Sequence, residues 1–180
     1  MTRIVDLTAG NRTYWKKGTK HLSGVTYCDI ESQLEIKPDK IEDFRKTTFE
    51  DGSVDVIFLD PPHLWRHSKC PSIFTVPNRI VMKEVFGKTW GERPPRYYGW
   101  DKFKTEKELM EAIRLLVIEC YRILENHGLI WLRWSEICIP YKEILKLFSN
   151  LFKECFRLPI SSTYKSSRYQ TIWACFIKGD

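Results

Sequence analysis

The chain has 180 residues, 43% of them hydrophobic, and a net charge of +6. This is enough for one domain with a real core, and no run approaches the roughly 20 apolar residues that cross a membrane. A leader peptide is not expected either, because Arg3-Ile4-Val5-Asp6 puts an acid into what would be its apolar stretch.

In chain order, Arg3 to Thr8 reads as a first strand, followed by a small-residue loop through Ala9-Gly10-Asn11. Gly24 to Cys28 reads as a second strand ending at Asp29, and a short third strand is expected within 37–44, after a turn at Pro38-Asp39. The polar turn 49–53 precedes a fourth strand, Val54 to Leu59. These strands are mostly continuous apolar runs, which points to a parallel sheet buried on both faces. A long helix follows from Thr105 to Glu125, opened by the capping box Thr105-x-x-Glu108 and closed by Gly128. Leu129 to Trp134 is the fifth strand, Tyr141 to Lys153 a second amphipathic helix, and 169–178 a final strand. Strands joined by helical or irregular crossovers make an open α/β sheet, in which ligands sit at the carboxyl ends of the strands.

Two of those ends carry chemistry. The fourth strand ends in Asp60-Pro61-Pro62-His63. An exocyclic amine on a base is a poor nucleophile, because its lone pair is delocalised into the ring. A carboxylate and a rigidly presented backbone carbonyl that accept its two N–H bonds would free that lone pair. Asp60 supplies the carboxylate, the Asp60 or Pro61 carbonyl the second acceptor, and His63 a ring to stack on the base. Asp and Pro are also ordinary turn residues. After the first strand, Asp6, Thr8, Ala9, Gly10 and Asn11 form an acid followed by a loop that lets the backbone approach a ligand. It is not G-x-G-x-x-G, so a dinucleotide fingerprint is absent. Asp29 stands where an acid takes ribose hydroxyls, or where it caps a following helix. Asp43 and Phe44, after the third strand, suit an adenine amino group and ring face, or a surface acid beside a core aromatic. Three acids after three successive strands favour S-adenosylmethionine as the cofactor.

The charge is concentrated. Residues 63–104 hold nine cations (Arg66, Lys69, Arg79, Lys83, Lys88, Arg93, Arg96, Lys102, Lys104) against three anions, an excess equal to that of the whole chain. Trp65, Tyr98 and Trp100 are among the aromatics interleaved with them. Cations for phosphates and aromatic faces for bases suit a nucleic-acid surface, although a solvated basic face with inward-packed rings gives the same pattern. His63, His67 and Cys70 offer no metal site, because Pro61, Pro62 and Pro71 preclude a regular helix and a fourth ligand is lacking. Cys70 with His67 lacks an oxyanion motif. The six cysteines (28, 70, 120, 138, 155, 175) form no C-x-x-C pair and read as reduced thiols of an intracellular, cytoplasmic protein.

The stretches 38–46 and 49–64, then Tyr98-Gly99-Trp100, Cys120-Tyr121-Arg122-Ile123-Leu124 and Gly128 to Glu136, resemble the small class I methyltransferases of phages, prophages and some archaea. The resemblance implies a Rossmann-like sheet that binds S-adenosylmethionine, with an Asp-Pro-Pro-x turn similar to that of nucleic-acid amino-methyltransferases. His63 stands where those enzymes usually carry Tyr, Phe or Trp, and Arg133-Trp134-Ser135-Glu136 replaces a Lys-Trp-Asn-type ending. The expectation is a single domain, residues 1–180, that methylates N6 of adenine or N4 of cytosine in DNA or RNA. Asp60 with Pro61, Pro62 and His63 would form the catalytic turn. Asp6, Thr8, Ala9, Gly10, Asn11, Asp29, Asp43, Phe44 and Asp60 would line the cofactor. His63, Trp65, Arg66, Arg93, Arg96, Tyr98 and Trp100 would meet the substrate. A protein or small-molecule acceptor, or a non-catalytic nucleic-acid-binding role, remains as an alternative. With no target-recognition module, a homodimer or a partner subunit stays open.

Overall fold

A computed structural model describes residues 2–65, 102–160 and 170–179. Seven strands form one sheet in the order β3-β2-β1-β4-β5-β7-β6. These are β1 (Ile4–Asp6), β2 (Val25–Asp29), β3 (Lys40–Ile41), β4 (Val54–Leu59), β5 (Leu124–Ser135), β6 (Phe152–Ile160) and β7 (Thr171–Lys178). β1 to β5 pair in parallel, and β7 runs antiparallel to both β5 and β6. The sheet is therefore Rossmann-like and mostly parallel, as the apolar runs suggested. Its order reverses between β1 and β4, which puts the ends of those two strands at a topological switch point.

Helix α1 (Glu106–Ile123) starts at Thr105, whose Oγ1 accepts from the Glu108 N–H at 3.2 Å. The Glu108 carboxylate reaches back to the Lys104 N–H rather than to that of Thr105. Leu109, Ile113, Leu116, Val117, Cys120 and Ile123 bury one stripe of α1. They pack on Ile57 and Leu59 of β4, Ile130, Leu132 and Trp134 of β5, and Ile172, Ala174 and Phe176 of β7, forming one core. Each fully buried aliphatic side chain there contributes roughly 1.5–3 kcal/mol. Helix α2 (Tyr141–Phe148) closes the same core with Tyr141, Ile144 and Phe148.

Three expectations change. Gly128 does not cap the helix: Leu124 ends α1 and also begins β5, and His127 takes the left-handed conformation at φ 63°. Gly128 is required for space, since a Cβ there would lie 2.7 Å from Leu124 Cγ and 3.0 Å from the Asp55 carbonyl. The second helix stops at Phe148, and residues 152–160 form an edge strand. The alternation of Phe156, Leu158 and Ile160 with Arg157 and Pro159 is the period-two signal of this strand, in a stretch beyond Lys153 for which the sequence suggested no element. Finally, Cys28, Cys120, Cys155 and Cys175 are free thiols, but Cys138 is disulfide-bonded, with its partner outside the described residues. Spacing alone does not pair cysteines across a fold.

The opposite face of the sheet is built differently. Alternation along β1 and β2 sends Ile4, Asp6, Val25 and Tyr27 to this side, where the loop 7–24 covers them without a helix. Trp15 is the loop's anchor, with ring centroids 5.4 Å from Tyr27 and 5.0 Å from Phe58. Arg12 is its pin. At 2% exposed, it donates to the Lys20 and Lys37 carbonyls and to Asp39, and lies 3.7 Å over the Tyr27 ring. Asp39 in turn accepts the Tyr27 N–H, so one acid ties the loop, β2 and the β3 approach together. Among the described residues, no helix is long and apolar enough to cross a membrane.

Candidate active site

The carboxyl ends of β1, β2 and β4 meet on one rim. Leu7 N–H donates to the Phe58 carbonyl at 3.2 Å, and Asp60 N–H to Thr8 Oγ1 at 2.6 Å. Thr8 thereby welds the loop after β1 to the turn after β4. Ala9 N–H donates to the Cys28 carbonyl, and Gly10 N–H to Asp29 Oδ2 at 2.9 Å, which joins that loop to the end of β2. Asp29 Oδ1 accepts the Glu31 N–H at 2.8 Å. Gly10 has φ +48°, and a Cβ placed on it would meet no atom within 4 Å. The backbone at Gly10 therefore borders open space. Asn11 Oδ1 accepts the Ile36 N–H at 3.3 Å, so this side chain works within the loop.

Asp6 is wholly buried beneath the rim. Its Oδ2 accepts Trp15 Nε1–H at 2.8 Å and its Oδ1 the Thr8 N–H at 3.2 Å. Burial pushes its carboxyl up to about 7, against the pull of these donors, and the Asp60 charge adds to the rise. The Tyr14 hydroxyl is buried beside both acids without a hydrogen bond of ordinary geometry, and burial drives its pKa well up. Tyr14 stands edge-on to Trp173 of β7, with centroids 5.8 Å apart.

Asp60 is the acid at the end of β4, its side chain 16% exposed. Burial raises its pKa, and the guanidinium of Arg133 opposes that rise. Arg133 Nη1 donates to Asp60 Oδ2 at 2.8 Å. Nothing in the sequence placed Arg133 in the site. Its signal lay in the alternation of β5, where Leu132 and Trp134 face the core and the charged residue between them faces away, near the strand's carboxyl end. Trp15 and Tyr14 were also missed, because the loop that brings them to Asp6 has no periodicity to read.

Pro61 is buried and Pro62 half-buried, so the turn is seated in the protein. His63 is 9% exposed, and its ring stands edge-on to Trp134 at 6.2 Å. Burial, with the positive charge of Arg133, pushes its pKa down to about 4, which keeps the imidazole neutral. Trp65 packs on the main core. Asp43 lies beyond β3 with both oxygens engaged by Arg45, which holds its carboxyl below the usual range. Phe44 is half-buried against the core. Arg66, Arg93, Arg96, Tyr98 and Trp100 lie outside the described residues.

No family model and no curated protein matches the chain. Solved structures do. The N-methyltransferase NodS from Bradyrhizobium japonicum WM9 aligns with TM-score 0.60 at 8% identity, over 99% of this chain and 86% of its own. The fold is that of the S-adenosylmethionine-dependent methyltransferases. Geranyl diphosphate methyltransferase in complex with S-adenosylmethionine aligns with TM-score 0.54 at 9% identity, over 98% of this chain and 78% of its own. The [4+2]-cyclase SpnF aligns with TM-score 0.53 at 10% identity, over 99% of this chain and 74% of its own. A scaffold shared by methyltransferases and a cyclase does not by itself fix a reaction.

Proposed function

We propose that this chain is an S-adenosylmethionine-dependent methyltransferase that acts on an exocyclic amino group, N6 of adenine or N4 of cytosine, in nucleic acid. The observation that carries the proposal is the position of Asp60. Its carboxylate sits at the switch point, and its backbone N–H is tied through Thr8 to the same loop whose Gly10 N–H meets Asp29. Cofactor side and acceptor side are thus joined by one hydroxyl.

The residues present fit the cofactor. The open space beside Gly10 accommodates a ligand against the backbone, and Asp29 retains lone pairs for hydroxyl donors. When bound, S-adenosylmethionine supplies a methyl group on a sulfonium that leaves as a neutral thioether. The chain's own part is positioning. Asp60 accepts an N–H of the acceptor amine, the rigid Pro61-Pro62 turn fixes the direction of its carbonyls, and neutral His63 supports the turn from within. The target base would be unpaired or flipped, since its amine is otherwise engaged in pairing. The basic, aromatic segment 63–104 supports a polyanionic acceptor.

The test supplies methyl-labelled S-adenosylmethionine with single-stranded DNA and RNA in separate reactions, with Asp60→Ala as control, and identifies the labelled nucleoside. Label on N6-adenine or N4-cytosine, lost in the variant, supports the assignment. Cofactor binding by calorimetry without label in either polymer overturns the nucleic-acid acceptor and favours a protein or small molecule.

A further inference from the structure

We propose that Arg133 is a positioning residue that selects the acceptor's charge: it occupies one oxygen of Asp60 and leaves the other as a one-sided acceptor for a neutral amino group. The proposal rests on Asp60 being the acceptor-side carboxylate.

The geometry is specific. Asp60 is held at both ends, its backbone N–H by Thr8 from the loop after β1 and its Oδ2 by Arg133 from β5, 73 residues away in sequence. Among the described residues, Oδ1 has no hydrogen bond. The side chain of Arg133 is 32% exposed, so the pair is reached by solvent from the Arg133 side. Its cross-strand partner in the register is Trp173, which also packs on Tyr14.

A lone carboxylate in this position would favour any cation that reached it, an alkylammonium above all. Burial would also push it toward protonation, and a protonated acid accepts poorly from an amine N–H. Arg133 works against both outcomes. The pair is neutral overall, so an ammonium gains nothing from it and meets a guanidinium alongside. A base amine, neutral at physiological pH, still finds one ionised oxygen. Aliphatic amines carry a proton at that pH, so the pair separates the two acceptor classes by charge rather than by shape. The other charged or titratable groups near Asp60 among the described residues are Asp6 on β1, Tyr14 on the loop and His63 on the turn. Among the described residues, only Arg133 brings a positive charge to it.

The test follows the Asp60 carboxyl carbon by NMR, assigned with Asp60→Asn, in wild type, Arg133→Met and Arg133→Lys. Arg133→Met should raise the Asp60 midpoint by about one to three units, and Arg133→Lys should restore most of it. Added n-propylammonium should perturb the Asp60 signal in Arg133→Met and leave wild type unchanged. On a single-stranded oligonucleotide, Arg133→Met should lower kcat by roughly 10²-fold with the KM for S-adenosylmethionine unchanged, and Arg133→Lys should recover part of it. An unmoved midpoint, or equal ammonium responses in wild type and Arg133→Met, overturns the proposal. If wild type leaves the oligonucleotide unmethylated while the midpoint and the ammonium response change as stated, the nucleic-acid assignment fails and the role of Arg133 survives. Circular dichroism melts identify any variant that does not fold, and Arg133→Gln then replaces it.

Discussion

The two faces of the sheet obey different rules. On the helix-covered face, Ile57, Leu59, Ile130, Leu132, Ile172 and Phe176 meet α1 and α2 in a continuous apolar core. On the other face, Asp6, Asp60, Arg133, Arg12, Tyr14 and Trp15 form a polar and aromatic layer under a loop without helical structure. Hydrophobic burial is non-directional and stabilises the first face whatever the details of each contact. The second depends on hydrogen bonds and ring packing of defined geometry, which are costly to leave half made. The protein places its chemistry on the face where residues can be aimed.

The comparison can be broken most sharply by paired substitutions. Leu132→Ala should cost about 2–5 kcal/mol by urea unfolding, while Asp60→Ala should cost less than about 1 kcal/mol, because it also frees an Arg that can reach solvent. Methyl transfer should vanish in Asp60→Ala and persist in whatever fraction of Leu132→Ala is folded. Similar stability losses in both would mean that Asp60 is structural. Arg12→Met should cost roughly 1–3 kcal/mol by the same measurement, since the Lys20 and Lys37 carbonyls lose their donor while half-exposed Asp39 is partly rescued by water. A neutral result would show that Trp15 alone holds the loop.

The two faces should also titrate in opposite directions. Asp6 is raised from the ordinary carboxylate value to about 7 by burial. Its contribution is therefore fully present below pH 4 and lost as pH rises toward 7, a change of roughly 4 kcal/mol. Asp6→Asn should remove this loss. Glu119, on α1, is buried, which alone would raise it, but Arg122 and Thr47 hydrogen bonds hold it below its ordinary value. That contribution is present above about pH 4.5 and fades as pH falls through the lower folded value. Glu119→Gln should flatten the acid limb of the stability profile and leave the neutral limb unchanged. Wild-type melts between pH 3 and 8 that show neither limb would contradict both assignments. Gly128→Ala should cost about 1–2 kcal/mol in denaturant titration, as the new methyl crowds Leu124 and the Asp55 and Glu125 carbonyls.

Legibility followed the same division. β4, the start of α1 and most of β7 could be read because apolar runs, a capping box and helical spacing are local signals. The loop from Leu7 to Gly24 was unreadable beyond its first residues. Trp15 reaching Asp6 and Arg12 reaching Asp39 are contacts between residues 9 and 27 apart, and no local pattern encodes them. β6 was not legible because its exposed edge carries little of the burial that disciplines a central strand.

By itself, the sequence determined the fold class, the strand that carries Asp60 and the small-residue turn at Gly10, because backbone propensity and apolar period are properties of neighbours along the chain. Only the tertiary structure decided that Asp60 and Arg133 form one neutral unit, that Thr8 joins the two ends of the rim and that His63 turns inward to Trp134. Those outcomes depend on which strand ends the sheet order brings together. A charge finds its partner across 73 residues of chain only after the sheet has closed.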